Sequence, residues 1–279
     1  MFEASGPRVF TLPPGVDFPR KLVAGLRARM IGKPPEAMAG VTLIVNTTRM
    51  QRRVLQILTE TGAMILPRIR LITNLPILAD LPEAAPALRR RLQLAQLISK
   101  LLDAQPDLAP RSALYDLADS LAGLMDEMHG EGVSPKTVAD LDVSGHSAHW
   151  ERSQEFLRLI TPVFEDSEVL DVESRQRLAV GNLAEQWKIA PPANPVLIAG
   201  STGSRGTTLQ LMQLVASLPQ GALILPGFDP DMPAEVWDSM SDAMTAEDHP
   251  QFRFRRLLDR LGLSPADTQE WHRADPPNP

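Results

Sequence analysis

Three near-continuous apolar runs constrain the fold of this 279-residue chain more than any other feature. The runs are VTLIVN (41–46), PVLIAG (195–200) and GALILPG (221–227), and each is too short to be a typical helix. Such runs are typical of strands buried on both faces of a parallel sheet, because apolar and polar residues need to alternate only where one face meets water. The sequence therefore predicts an α/β protein.

Two further strands and the segments between them extend this pattern. RVFTL (8–12) and PRIRLIT (67–73) predict strands, and apolar spacing of three and four predicts helices after the strands at 8–12, 41–46 and 195–200. Strands that alternate with helices indicate a parallel sheet with helices on its faces. We assign residues 1–85 and 171–230 to this α/β core.

The middle of the chain has a different character, because strand-like runs are absent between Pro86 and about residue 170. Helical spacing predicts a helical insertion at 86–170 that interrupts the core. Residues 231–279 are expected to form a loop-rich tail with one helix near 250–262, the truncated start of a following domain. The predicted stripes are Leu88, Leu92, Ala95, Ile98 and Leu102; Leu114, Leu117, Leu121, Leu124 and Met128; and Trp150, Phe156, Leu157, Ile160 and Phe164.

Composition excludes several classes of protein. The chain has no cysteine, which removes disulfides, thiolate nucleophiles, zinc–thiolate sites and iron–sulfur ligation. No apolar run approaches the roughly 20 residues of a membrane span, and the first residues lack a signal-peptide pattern. We therefore expect a cytoplasmic protein without a membrane partner.

Charge is divided unevenly along the chain. Residues 1–100 hold 15 Lys and Arg against 6 Asp and Glu, whereas residues 101–279 hold 13 against 28. The basic part suits a polyanion, since cations near phosphates release bound counterions. An ordinary solvated surface is the alternative, and the charge count alone leaves both open.

A glycine-rich loop follows the strand at 195–200, in the segment VLIAGSTGSRGTT. A Walker A loop has four residues between its glycines and then Lys-Ser/Thr, whereas Gly200 and Gly206 are separated by five and Thr207 stands in the place of the lysine. ATP binding is therefore disfavoured, which leaves an anion at the helix N-terminus or a tight hydroxyl-rich turn. The candidate anion-binding residues are Gly200, Ser201, Gly203, Arg205, Gly206 and Thr207.

The loop after the first strand, in VFTLPPGVDFPRKLVAGL, lies where an α/β nucleotide-binding core usually holds phosphate. Pro14, Gly15 and Lys21 resemble parts of a phosphate loop, but no second glycine lies between Gly15 and Lys21. Pro19 removes a backbone donor, and Leu22 stands where a magnesium-binding hydroxyl would be. We interpret this segment as a degenerate nucleotide loop.

Other polar groups do not form a catalytic set. His146 and His149 make an H-x-x-H pair without an acidic or thiolate third ligand. Asp229 and Asp231 flank a proline in a turn after a strand, where a solvated turn explains them. The sequence predicts no catalytic residue, no metal ion and no cofactor.

A cluster of hydroxyl and basic residues opens the helix after the strand at 41–46. Its members, Thr47, Thr48, Arg49, Arg52 and Arg53, would lie near the carboxyl edge of the sheet, where ligands of α/β folds bind. They are the candidate nucleic-acid contacts, and an unoccupied solvated face is the alternative.

The succession of segments resembles the N-terminal region of the AddB family, whose members are subunits of the AddAB helicase–nuclease of bacterial double-strand break repair. The resemblance rests on VTLIVNTTRMQRRVLQIL, LPRIRLIT, GLMDEMHGEGV, PVLIAGSTGSRGTT and EDHPQFRF in this order. It covers most of the chain and implies a RecA-like, superfamily 1 helicase-like core interrupted by a helical subdomain.

The resemblance also implies roles for particular positions. Pro13 to Leu22 would occupy the Walker A position, and Ala199 and Gly200 would replace the Walker B carboxylates, so ATP and magnesium turnover is not expected. VNTTRMQRR would be the helicase motif that contacts single-stranded DNA, which assigns Thr47, Arg49 and Arg52 to that contact.

The implied partners are the AddA motor subunit and single-stranded or double-stranded DNA. The nuclease and iron–sulfur cluster of the family lie outside this chain, which we expect to be a piece of a longer protein. Two alternatives remain open: a nucleotide hydrolase that uses the Gly200–Thr208 loop, and a purely structural interaction module.

Overall fold

The computed structural model describes residues 1–2, 6–60, 62–75, 80–140 and 170–273. The chain divides into two compact units, Met1–Leu75 with Asn182–Pro279, and Pro76–Gly181. The predicted helix with Trp150 and the pair His146 and His149 lie outside the described residues.

The first unit contains a six-stranded sheet in which every pair of neighbouring strands is parallel. This confirms the predicted α/β class, and the five predicted strands agree with the structure within a residue or two. In chain order the strands are β1 (Val9–Leu12), β2 (Thr42–Val45), β3 (Arg68–Leu71), β4 (Val196–Ala199), β5 (Gly221–Pro226) and β6 (Gln269–Glu270). Their order across the sheet is β3-β2-β4-β5-β1-β6.

Helices connect these strands and form the described part of the second unit. In chain order they are α1 (Phe18–Ala28), α2 (Ala37–Gly40), α3 (Thr48–Thr59), α4 (Ala87–Ala104), α5 (Leu114–Glu131), α6 (Pro135–Ala139), α7 (Val172–Ile189), α8 (Gly206–Ser217), α9 (Ala234–Ser239), α10 (Ala243–Ala246) and α11 (Phe252–Leu261). Short 3₁₀ turns lie at Ile72–Asn74, Arg111–Ala113 and Pro265–Asp267.

Burial on both faces of the central strands explains their continuous apolar sequence. On one face, strand residues such as Leu43 and Leu197 join one buried cluster with Leu26 of α1 and Leu58 of α3. Helix α8 packs against β4 and β5, and α11 packs against α8. Because water reaches neither face of β4, alternation of apolar and polar residues would bury polar groups there.

Strand β6 and Trp271 add an element that no pattern in the sequence predicted. β6 pairs with β1, and Trp271, which is 1% exposed, donates its indole N–H to the carbonyl of Leu22 at 3.0 Å. The guanidinium of Arg29 lies 3.7 Å above the centre of the indole ring and donates to the carbonyl of Trp271 at 2.8 Å. Residues expected to form a loop-rich tail therefore extend the sheet.

In the second unit, α4 and α5 pack against each other through a shared apolar cluster. The predicted α4 stripe is wrong in its first two turns, because Leu88 is 65% and Leu92 is 52% exposed. Leu94, which the stripe omitted, is buried against α5 together with Ile98. Which α4 residues are buried therefore depends on contact with α5 and not on spacing alone. The predicted boundaries of the helical insertion, at residues 86 and 170, stay predictions.

Candidate functional site

Three loops converge at the carboxyl edge of the sheet, around Gly200. Asn46, which follows β2, donates its side-chain amide N–H to the carbonyl of Gly200 at 2.7 Å. A Cβ on Gly200 would lie 3.4 Å from Cε1 of Phe18, the first residue of α1, and the φ of +82° already favours glycine. The chain leaves β2 and β4 in opposite directions across the sheet, and ligands of α/β proteins bind at such a switch point.

The N-terminus of α1 already has an anion, which is the carboxylate of Asp17. Asp17 Oδ1 accepts from the backbone N–H of Arg20 at 3.2 Å, and the other oxygen lies 3.4 Å from the Arg20 guanidinium and 3.5 Å from that of Arg53. A helix N-terminus attracts a phosphate for the same reason that it attracts this carboxylate. A phosphate at this end of α1 would therefore meet a negative charge.

Pro14 and Gly15 of the predicted degenerate loop follow β1, whereas Lys21 lies in α1 and has a protein partner. Lys21 Nζ donates to the carbonyl of Arg273 at 3.2 Å, in the segment that follows β6. Pro14 and Gly15 are exposed in a turn, and Gly15 has a φ of +83°. The loop thus turns the chain into α1 and contacts the closing segment through Lys21.

The glycine-rich loop after β4 packs inward. Ser201 is buried, and its hydroxyl accepts from the N–H of Gly203 at 3.3 Å. Gly203 has a φ of +69°, and a Cβ there would lie 3.3 Å from Met212 Sδ on α8. Thr207 is also buried, so three of the six candidate anion-binding residues face the protein interior.

The same loop keeps an exposed rim at the start of α8. Arg205 is exposed and occupies the N-cap position, and its side chain forms no capping hydrogen bond there. Gly206, the first residue of α8, is partly exposed. The tight-turn interpretation explains the buried residues of the loop. An anion could reach the loop at Arg205 and at the partly exposed Gly206, where α8 begins.

Helix α3 begins beside Asn46 with a side-chain cap. Thr47 Oγ1 accepts from the backbone N–H of Met50 at 3.1 Å, which satisfies one of the unpaired donors of the first turn. Thr47, Thr48 and Arg49 are exposed in this turn. The structure therefore brings three of the five candidate nucleic-acid contacts together at the carboxyl edge.

The three arginines of α3 differ in their partners. Arg53 lies towards α1, where it contacts Asp17 and donates to Gln56 Oε1 at 3.2 Å. Arg49 and Arg52 are three residues apart and so are neighbours on the exposed face of the helix. Across the described ranges, neither of these two arginines forms an ion pair.

Some residues of this edge could have been found in the sequence and others could not. Asp17 followed by Phe18 and Pro19 carries the usual signal of a helix start, an acidic N-cap before a proline in the first turn. Gly200 contacts Phe18 and Asn46, which lie 182 and 154 residues away in the sequence, and no local pattern reports such contacts.

The fold and this edge define the class of protein: an all-parallel α/β domain with a basic helix beside the switch point of its sheet. No protein-family model and no curated protein matches the chain. Among the described residues, no group of three or more His, Asp or Glu side chains could hold a metal ion. In the same part of the chain, no helix combines the length and the apolar character needed to cross a membrane.

Proposed function

We propose that this chain is the N-terminal, helicase-like part of an AddB-family subunit of a cytoplasmic helicase–nuclease. In this role it contacts single-stranded DNA through α3 and docks to the AddA motor subunit without hydrolysing ATP. The resemblance of the sequence to that family supports this proposal, and the α/β core is consistent with it.

The observation that carries the DNA contact is the exposed pair Arg49 and Arg52. They lie beside each other near the start of α3, and no carboxylate of the described residues neutralises them. Phosphate groups of a single strand gain affinity from such cations through counterion release, with little dependence on base sequence. Arg53 contributes less, because Asp17 already pairs with it.

The loops that would bind a nucleotide support a non-catalytic role. Asp17 places a negative charge at the N-terminus of α1, and Lys21 donates to the carbonyl of Arg273. Ala199 ends β4 without a carboxylate that could hold magnesium. These features favour DNA guidance over nucleotide hydrolysis.

The DNA contact is tested by fluorescence anisotropy with a labelled single-stranded oligonucleotide and the full chain. The variant Arg49→Ala/Arg52→Ala should bind more weakly, and the slope of log affinity against log salt should fall by about 1.4 for two lost phosphate contacts. The matched control is Arg256→Ala/Arg260→Ala on α11, which removes the same charge from an acidic part of the chain. Equal losses in both variants would contradict the assignment.

Docking to AddA has a separate test, because it does not require DNA. The full chain and purified AddA are mixed without DNA and passed through a size-exclusion column. A complex that elutes before either protein is expected. Separate elution at micromolar concentrations would contradict the docking role and leave the DNA test unaffected.

A further inference from the structure

A cavity of about 640 Å³ lies beyond the ends of β1 and β6, in the first unit. Thr11 of β1 and Pro13 just after it line the cavity, together with Trp237 and Asp238 of α9 and Glu270 of β6. None of the α3 arginines lines it, so it is separate from the proposed DNA contact.

The polar groups of the cavity wall are largely satisfied by the protein itself. The hydroxyl of Thr11 donates to the carbonyl of Gln269 at 3.4 Å, and that of Thr268 donates to the carbonyl of Pro265 at 2.8 Å. The rest of the wall is mainly apolar and includes prolines, Met232 and the buried Trp237. A ligand would therefore meet apolar walls and the charged groups at the rim.

Carboxylates determine the charge of this rim. The side chain of Asp238 is 78% exposed, and Glu270 is also exposed. The cation of the wall, Arg255, lies 3.1 Å from Asp259 and 3.7 Å from Asp238. The charged residues of the wall are thus two carboxylates, Asp238 and Glu270, against one arginine, a balance that favours a cation over a phosphate.

We propose that this cavity receives an arginine side chain of a protein partner. An arginine has an apolar stem that packs along proline and tryptophan surfaces, and a planar, weakly hydrated guanidinium that pairs with carboxylates. Arginine is also among the residues that most often anchor protein interfaces in such pockets. The inference does not rest on the single-strand contact proposed for α3.

Indole nitrogen signals in NMR spectra of the ¹⁵N-labelled full chain test this proposal. The chain has four tryptophans, and the Trp237 signal is assigned with Trp237→Phe. The probe is L-arginine amide, and L-citrulline amide is its uncharged isostere. The Trp237 signal should shift saturably with arginine amide, with a dissociation constant on the order of millimolar, and much less with citrulline amide.

A matched pair of variants tests the role of Asp238. Asp238→Asn should weaken arginine amide binding by about three- to fivefold, whereas Glu235→Gln, on the same helix but outside the cavity wall, should leave it unchanged. Three outcomes would overturn the proposal: no shift of the Trp237 signal, an equal response to citrulline amide, or equal binding by wild type and Asp238→Asn. A shift of this signal by thymidine monophosphate in place of arginine amide would also overturn it.

Discussion

At the scale of single residues, the indole of Trp271 occupies the space that a side chain at position 25 would need. A Cβ on Gly25 would lie 2.6 Å from Cδ1 of the indole, closer than real Cβ contacts come. Gly25 lies inside α1, where glycine is otherwise unfavourable by about 1 kcal/mol relative to alanine. The close approach of the indole explains why the helix contains a glycine at this position.

Gly25→Ala is therefore expected to destabilise the first unit by about 1–3 kcal/mol, because overpacking against Trp271 outweighs the better helix propensity of alanine. Urea unfolding measures this. In a Trp271→Ala background the same substitution should no longer destabilise. Gly123→Ala, in α5 with open space around the added Cβ, is the control and should leave stability unchanged or raise it.

The buried carboxylate of Asp171 is held by several partners in the second unit. One oxygen accepts from the N–H of Ser174 at 2.8 Å, and the other lies 2.5 Å from His129 Nδ1 and 3.7 Å from the Arg90 guanidinium. Burial alone would raise the pKa of Asp171. Hydrogen bonds with His129 and Ser174 and the charges of His129 and Arg90 outweigh burial and lower the pKa to about 2.

Because the pKa of Asp171 is lowered on folding, its ionised carboxylate stabilises the folded state fully at a pH above its ordinary pKa of about 3.8. This stabilisation is lost as the pH falls towards 2. Asp171→Asn should therefore be less stable than wild type at pH 7 by about 2 kcal/mol. The difference should shrink between pH 4 and pH 2. Urea unfolding followed by circular dichroism measures it, and a difference that stays constant over this range would contradict the assignment.

At the scale of elements, the three helices that begin at the carboxyl edge differ at their N-termini. α1 is capped by the carboxylate of Asp17 and α3 by the hydroxyl of Thr47, whereas the N-cap residue of α8, Arg205, forms no side-chain cap. Only α1 carries a negative group in its cap, so the position that a nucleotide-binding loop would use is the least suited to phosphate.

Addition of about 5 mM Mg-ATP should therefore leave the melting temperature of the chain unchanged. A site with a dissociation constant of about 50 μM would instead stabilise the chain by about 2.7 kcal/mol under these conditions. Differential scanning fluorimetry distinguishes the two results. Stabilisation that disappears in Gly206→Ala would favour a nucleotide hydrolase that uses the glycine-rich loop.

The elements also show how far the sequence predicted the fold. Strands β2, β4 and β5 were predictable because burial on both faces leaves uninterrupted apolar runs. β6 has two exposed polar residues, Gln269 and Glu270, and no pattern distinguishes such a strand from a loop. The strand is followed directly by Trp271, which contacts Leu22 of α1, a residue some 250 positions earlier in the sequence.

The candidate site was predictable to a smaller extent. The position of Arg49 and Arg52 at the start of a helix after a buried strand followed from local spacing. The partners of Arg53 and Lys21 did not, since each lies on a different element. Nothing local in the segment Gly200–Thr207 indicated that Ser201 and Thr207 are buried, because that depends on how the loop packs against α8.

At the scale of the whole molecule, the first and the last strand of the sequence, β1 and β6, lie side by side at one edge of the sheet. Strand β1 lies between β5 and β6, so removal of the chain after Thr268 would take away β6 and the buried Trp271 together. This truncation should destabilise the first unit by at least about 3 kcal/mol, the usual cost of removing a buried tryptophan. Urea unfolding measures the loss, with Trp271→Ala as a comparison that keeps β6.

The position of β1 in the sheet also has a consequence during protein synthesis. β1 leaves the ribosome well before its two neighbouring strands, β5 and β6, because both are encoded more than 200 residues later. At about 5–20 residues per second, its apolar side chains wait on the order of 10–40 s for β5. During that interval β1 is an apolar strand with two unpaired edges, which makes the incomplete chain prone to pairing with other chains.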